Sequence, residues 1–229
     1  MQWDDTGYLL SKNRYNENSI IAEFFTENHG KCTGIIFGAT SKKIKSYLEI
    51  GNKIFINYNF KNEGKMGYFK VEISKANSAF FFNYQKKLFS ISSAMSLIRL
   101  LTVEFQENKK IYNLIDNFFI LLNNNNNYNW VKEYIFWELK LLELVGFKLE
   151  LKKISQSETL NNKKKYFVKS NTGKKYIPNF LIDRIDDNID KTILLNGLKL
   201  VGDFLEKNIL KPNNINYPTT RLEFVKLFK

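Results

Sequence analysis

The feature that most constrains the fold is a change of hydrophobic period near Phe80. Before it, apolar residues come in short runs rich in branched and aromatic side chains, the pattern of half-buried strands. TGYLLSKNR (6–14), SIIAEFFT (19–26), KCTGIIFG (31–38), NKIFINYNF (52–60) and GYFKVEIS (67–74) are five such runs. In the fourth, Ile54, Ile56 and Tyr58 alternate with Phe55, Asn57 and Asn59, which predicts one inward and one outward face. ENHG (27–30) is a tight connection in which Gly30 is free to take a positive φ. Five short strands with no helix signal of comparable length predict a small closed barrel, five-stranded and of the Greek-key OB type.

After Phe80 the period becomes that of a helix. Leu88, Ile91, Met95, Ile98 and Leu101 form one stripe, and Ile111, Leu114, Ile115, Phe118, Leu121 and Leu122 a second. The polar run NNNNNYN (123–129) breaks the pattern and reads as a loop. Tyr134, Trp137, Leu141 and Leu144 mark the strongest helix, with Gly146 placed to cap its C-terminus. KKYFVKS and KKYI flank NTG, a hairpin signal with Gly173 at the turn. DKTILLNGLKLVGDFLEKNIL (190–210) and PTTRLEFVKLF (218–228) are again helical, with Pro218 suited to a first turn. The predicted fold class is α+β: an OB-type barrel over 1–78, a helical bundle over 79–150, and 151–229 as a basic β-hairpin followed by helices that pack on the bundle.

The chain of 229 residues carries a formal net charge of +12, which points to a polyanionic partner. The charge is uneven. Residues 1–78 hold 11 basic and 8 acidic side chains, 79–150 hold 8 and 7, and 151–229 hold 16 and 8. Lys152–Lys175 contains eight lysines and one acid, Glu158. One cysteine, Cys32, and one histidine, His29, exclude a disulfide framework and the common zinc sites within one chain. The start has no basic and apolar leader, and no apolar run reaches the ~18 residues of a membrane span. A cytoplasmic protein is expected.

Catalytic arrangements fail on spacing. Gly34 and Gly38 in GIIFGATSKK have three residues between them, whereas a phosphate-binding loop needs four, a Lys-Ser/Thr pair and a following helix. Asp183, Asp186, Asp187 and Asp190 lie in one local run before a helix, where acids cap and meet the helix dipole. His29 reads as a turn residue and Cys32 as a small core residue. No enzyme and no cofactor are predicted. The basic groups that remain as candidate DNA contacts are Lys12, Arg14, Lys31, Lys42, Lys43 and Lys45 around the barrel, and Lys163, Lys164, Lys165, Lys174 and Lys175 around the hairpin. Such groups would give salt-dependent, largely sequence-independent binding.

The order of parts and several motifs resemble the RecO family of bacterial recombination mediators. Asp5, Gly7, Lys12, Arg14, Glu17 and Ser19 follow that family's first strand and turn, with Asn16 where glycine is usual. TENHGK (26–31), Gly38 with Lys42 and Lys43, YIFWELKLLELVGFKLEL (134–151), and FLEKNIL with PTTRLEFV, including Arg221, continue the likeness to the end of the chain. The resemblance implies a non-enzymatic, nucleoid-associated protein that binds single- and double-stranded DNA and anneals complementary strands. It implies three protein partners: RecR, the acidic tail of single-strand binding protein, and indirectly RecA. Many relatives hold a four-cysteine zinc module after the Gly-Phe motif. Here Ile154 and Ser157 stand about where its first pair would be, so no zinc is expected, and Tyr166, Val168 and Tyr176 are expected to hold the hairpin instead. The competing reading is an adaptor that recruits acidic protein tails through a basic and apolar groove.

Overall fold

The computed structural model describes residues 2–60, 66–124, 129–160, 163–170, 173–184 and 189–229. The chain divides into two compact units, Met1–Phe119 with Pro218–Phe224, and Ile120–Tyr217 with Val225–Lys229.

The first unit is built on five strands: β1 (Gln2–Asn16), β2 (Ser19–Thr26), β3 (Gly30–Phe37), β4 (Lys53–Asn59) and β5 (Tyr68–Lys75). They close on one another in the order β1-β2-β3-β5-β4. All pairings are antiparallel except β3 with β5, which run parallel through Ile35–Tyr68 and Ile36–Phe69. The alternation expected for β4 holds: Ile54, Ile56 and Tyr58 are buried while Phe55 is exposed. They meet Leu9, Phe24, Cys32, Ile36 and Phe69 in one core. Gly34 lies close under Phe69, where a Cβ would come within 2.7 Å of Cε2. A short helix, α1 (Lys42–Tyr47), joins β3 to β4.

Helix α2 (Gln85–Leu101) buries Ile91, Ala94, Met95, Leu97 and Ile98, and packs against β1 and β2. The buried amides of Asn52 and Asn77 are hydrogen-bonded, as polar burial requires. Asn77 Nδ2 donates to Gly51 O (3.0 Å), and the Ser78 N–H donates to Asn52 Oδ1 (3.1 Å). Helix α3 (Lys109–Asn124) follows, and the division between units falls within it.

In the second unit, α4 (Asn129–Leu144) buries Trp130, Val131, Tyr134, Ile135, Trp137 and Leu141. Gly146, at φ +94°, ends it; the next N–H, of Phe147, donates to Leu142 O at 2.8 Å. After α5 (Leu151–Ile154) comes a three-stranded antiparallel sheet, β6 (Gln156–Leu160), β7 (Lys163–Ser170) and β8 (Gly173–Ile177). The expected hairpin is therefore joined by one further strand. Helices α6 (Phe180–Asp183) and α7 (Lys191–Leu205) complete the packing. Gly197 of α7 lets Ile135 and Phe180 approach, each 3.0 Å from where a Cβ would sit. Helix α8 (Thr219–Lys226), of which Thr219–Phe224 belong to the first unit, carries the buried Arg221. Among the described residues no helix is long and apolar enough to cross a membrane. The centre of the asparagine run, 125–128, and the turn residues Asn171 and Thr172 lie outside the described residues.

Candidate nucleic-acid interface

Five of the six candidate cations of the barrel gather at one end. β1 outruns the core, so Lys12 to Asn16 are exposed. The turn that follows is tied to the segment after β3: the Ala39 N–H donates to Asn18 O (3.1 Å), and Thr40 Oγ1 to Asn18 Oδ1. This brings Arg14 to the same end as α1, whose Lys42, Lys43 and Lys45 are all exposed. Ile44 between them packs on the barrel core and sets that orientation. Lys12 donates to Leu48 O and pairs with Glu49 at 3.3 Å, so its ammonium is engaged with the residues just past α1. Arg14 Nε reaches Asn16 O at 3.4 Å. Lys31 is not part of this group. It opens β3 at the other end and donates to Arg99 O at 3.0 Å.

The hairpin lysines are divided by strand geometry, because successive side chains point to opposite faces. Tyr166 pairs with Ile177 and both are buried, so that face of the sheet packs inward. Tyr166 Oη donates to Asp183 at 2.7 and 2.9 Å. Lys164 shares this face and lies 4.7 Å from the Tyr166 ring centroid. Lys175, opposite Val168, also shares it and pairs with Asp203 of α7. The other face is exposed apart from the buried Phe167. It holds Lys165, Lys169 and Lys174, with Tyr176 opposite Phe167. Lys163 begins β7 opposite Leu160.

The expectation that Tyr166, Val168 and Tyr176 hold the sheet is corrected in part. Tyr166, Phe167 and Ile177 are buried and Val168 is half-buried, but Tyr176 is 48% exposed. The register puts Tyr176 on the open face, where its ring meets Phe167 edge-on at 6.2 Å. Tyr176 and Lys169 are the residues that a linear reading misses. The period of two along β7, read through its register with β8, is the signal that finds them.

A small network orders this face. Glu158 accepts from Lys174 and from Tyr176 Oη, the latter at 2.7 Å. The hydrogen bonds from Lys174 and Tyr176 hold the Glu158 carboxyl below its usual range, and the same bonds raise Lys174 and Tyr176 above theirs. Lys164 is raised by its hydrogen bond with Tyr166. Lys174 lies 4.5 Å from the Phe167 centroid and Lys165 5.8 Å from that of Tyr176. Lysine over exposed aromatic rings combines phosphate attraction with a stacking surface.

The remaining candidates have local roles. The Asp190 side chain caps α7 by accepting from the Ile193 N–H at 2.8 Å, and Asp186 and Asp187 lie outside the described residues. Among the described residues no group of three His, Cys, Asp or Glu is disposed to hold a metal. Cys32 is buried, and burial pushes its thiol up to about 12. His29 is a turn residue. Its Nδ1 lies 2.8 Å from Asp5 Oδ2, and its ring stacks on Trp3 at 3.8 Å. Asp5 also accepts from the Thr6 and Asn28 N–H groups at 2.8 and 2.9 Å. Burial raises the Asp5 carboxyl, but these hydrogen bonds outweigh burial and leave it lowered.

The structure thus defines a basic protein of barrel and helices that shows lysine to solvent at one end of the barrel and, in the second unit, on a small sheet, where Lys164 and Lys175 are exposed as well as Lys165, Lys169 and Lys174. Such a surface suits a polyanionic partner. The chain belongs to the RecO family of DNA repair proteins: the family of the Recombination protein O N terminal matches residues 1–77, and that of the Recombination protein O C terminal matches 86–214. It is 27% identical to the DNA repair protein RecO of Wolbachia sp. subsp. Drosophila simulans, over 96% of this chain and 98% of that one. It is 24% identical to those of Rhodospirillum centenum and Bartonella quintana, over 100% of this chain and 95% and 98% of theirs.

Proposed function

We propose that this chain is a non-enzymatic recombination mediator that binds single- and double-stranded DNA and anneals complementary strands. With RecR it would help load RecA onto DNA coated by single-strand binding protein, whose acidic tail it engages. The open face of β6–β8 carries this reading: three lysines beside an exposed tyrosine offer phosphate contacts and a base-stacking surface without sequence selectivity. The barrel supports it as well. Five strands in the order β1-β2-β3-β5-β4 suit an OB-type module, and Arg14, Lys42, Lys43 and Lys45 would offer phosphate contacts of their own within residues 1–78. Helices within 79–150 would serve as the protein-facing bundle, and 151–229 would supply the basic sheet without zinc.

The test is pairing of two complementary oligonucleotides by the purified full chain with no nucleotide present, repeated at several salt concentrations. Annealing that fades steeply as salt rises is expected. Failure to pair strands, or binding that is flat with salt, refutes the reading and favours a protein adaptor.

A further inference from the structure

The barrel carries a second feature at the end where β3 starts, one whose charged lining among the described residues is acidic. A cleft of about 850 Å3 is lined by Trp3, His29, Tyr58 and Phe105, with the carboxylates Glu104 and Glu107. Among its described lining residues there is no lysine or arginine. Glu104 accepts from Thr33 Oγ1, and Glu107 lies 3.8 Å from Lys109 on the surface.

One wall is unusually built. Phe105 has φ +55°, a left-handed conformation that is rare for a bulky side chain. Its N–H donates to Lys31 O at 2.8 Å, which holds the segment after α2 against the start of β3. Gly30 permits this approach, since a Cβ there would run into the Gln106 carbonyl. The ring displayed this way is 55% exposed and has Tyr58, 6.3 Å away, as its ring neighbour. A strained backbone that places an apolar ring in solvent is not explained by core packing, and strain of this kind collects at functional sites. The opposite wall is rigid: Trp3 lies flat on His29, which Asp5 holds.

We infer that this cleft docks a protein partner through a linear basic segment, with an arginine or lysine between the aromatic rings and Glu104 and Glu107, and an adjoining apolar side chain on Phe105. Aromatic faces and carboxylates attract a cation, and complementary charge selects the partner. The same carboxylates repel phosphate, which separates this cleft from the lysine surfaces.

Trp3 reports on the site, because Trp130 and Trp137 are buried. The full chain is titrated with a synthetic peptide alternating arginine and leucine, with its glutamate-for-arginine analogue, and with oligothymidylate, by tryptophan emission and calorimetry. The arginine peptide is expected to saturate and shift the emission, and Trp3→Phe to remove that shift. Glu104→Gln with Glu107→Gln is expected to weaken peptide binding ~10-fold while leaving oligothymidylate binding unchanged. Phe105→Gly is expected to weaken the peptide similarly without lowering the unfolding midpoint, since glycine suits a positive φ. Equal binding of the glutamate analogue, no saturation, or indifference to these substitutions overturns the inference. So does a ~10-fold loss of oligothymidylate binding in the same variants, which would make the cleft a base pocket.

Discussion

Replacing Lys165, Lys169 and Lys174 together by glutamine removes three positive charges from the open face of the small sheet and leaves its packed face intact. Lys174 is already paired with Glu158, whereas among the described residues Lys165 and Lys169 have no carboxylate within ion-pair distance. Two or three phosphate contacts are therefore at stake. On single strands each contact contributes ~0.7 to the slope of log affinity against log salt, so the slope falls by about 1.4 to 2.1. Across a fourfold rise, from about 50 to 200 mM, the parent then loses roughly 7- to 18-fold more affinity than the variant. Fluorescence anisotropy of a labelled oligothymidylate at four or more salt concentrations measures both slopes. The control is Lys164→Gln with Lys175→Gln, on the packed face, where Lys175 is engaged by Asp203. The control should flatten the slope less than half as much. A triple variant with an unchanged slope would exclude the open face as a phosphate surface. Equal effects of both sets would show that the division by strand face has no bearing on DNA.

Three further outcomes follow from the first unit. Gly30→Ala forces a Cβ toward the Gln106 carbonyl at φ +67°, and should destabilise by about 3 kcal/mol in urea unfolding. Tyr112→Phe should be neutral or stabilising by up to ~1 kcal/mol, because among the described residues the buried Tyr112 hydroxyl has no hydrogen-bond partner. Asp5 has a folded pKa below the ordinary 3.8, so its contribution is complete above that value and is lost as pH falls through the folded pKa. The stability gap between parent and Asp5→Asn should therefore narrow as pH falls below about 4; a gap that does not narrow there would show that the carboxylate does not hold the turn.

What could be read from the sequence depended on whether a side chain was chosen for burial or for a tertiary task. β2 to β5 emerge within about a residue of their bounds because Phe24, Ile36, Ile54 and Phe69 repeat at the strand period and fill one core. The start of β1 does not emerge, because QWDD reads as polar. Asp5 is nonetheless buried, and its burial is offset by hydrogen bonds to residues 23 and 24 positions away. β6 is equally silent: Gln156, Ser157, Thr159 and Leu160 are exposed, and only backbone pairing to β7 makes it a strand. The motif TENHGK was visible as a turn, but its physical content is tertiary. Thr26 Oγ1 donates to Gly30 O at 3.1 Å and accepts the His29 N–H at 3.1 Å, while Gly30 makes room for Gln106.

The candidate site shows the same limit in its charges. A count along 152–175 treats eight lysines as one basic block. The fold turns Lys164 and Lys175 toward a tyrosine and an aspartate, and gathers Lys165, Lys169 and Lys174 beside Tyr176. Phosphate attraction depends on charge presented per face, because only cations that reach the backbone together release counterions together. Strand parity, once register is known, is therefore a better guide to this surface than lysine density. The barrel argues likewise: Lys31 looks equivalent to Lys42 in composition, yet it stands at the end of β3 where Glu104, Glu107 and the aromatic rings favour a cationic visitor rather than a phosphate.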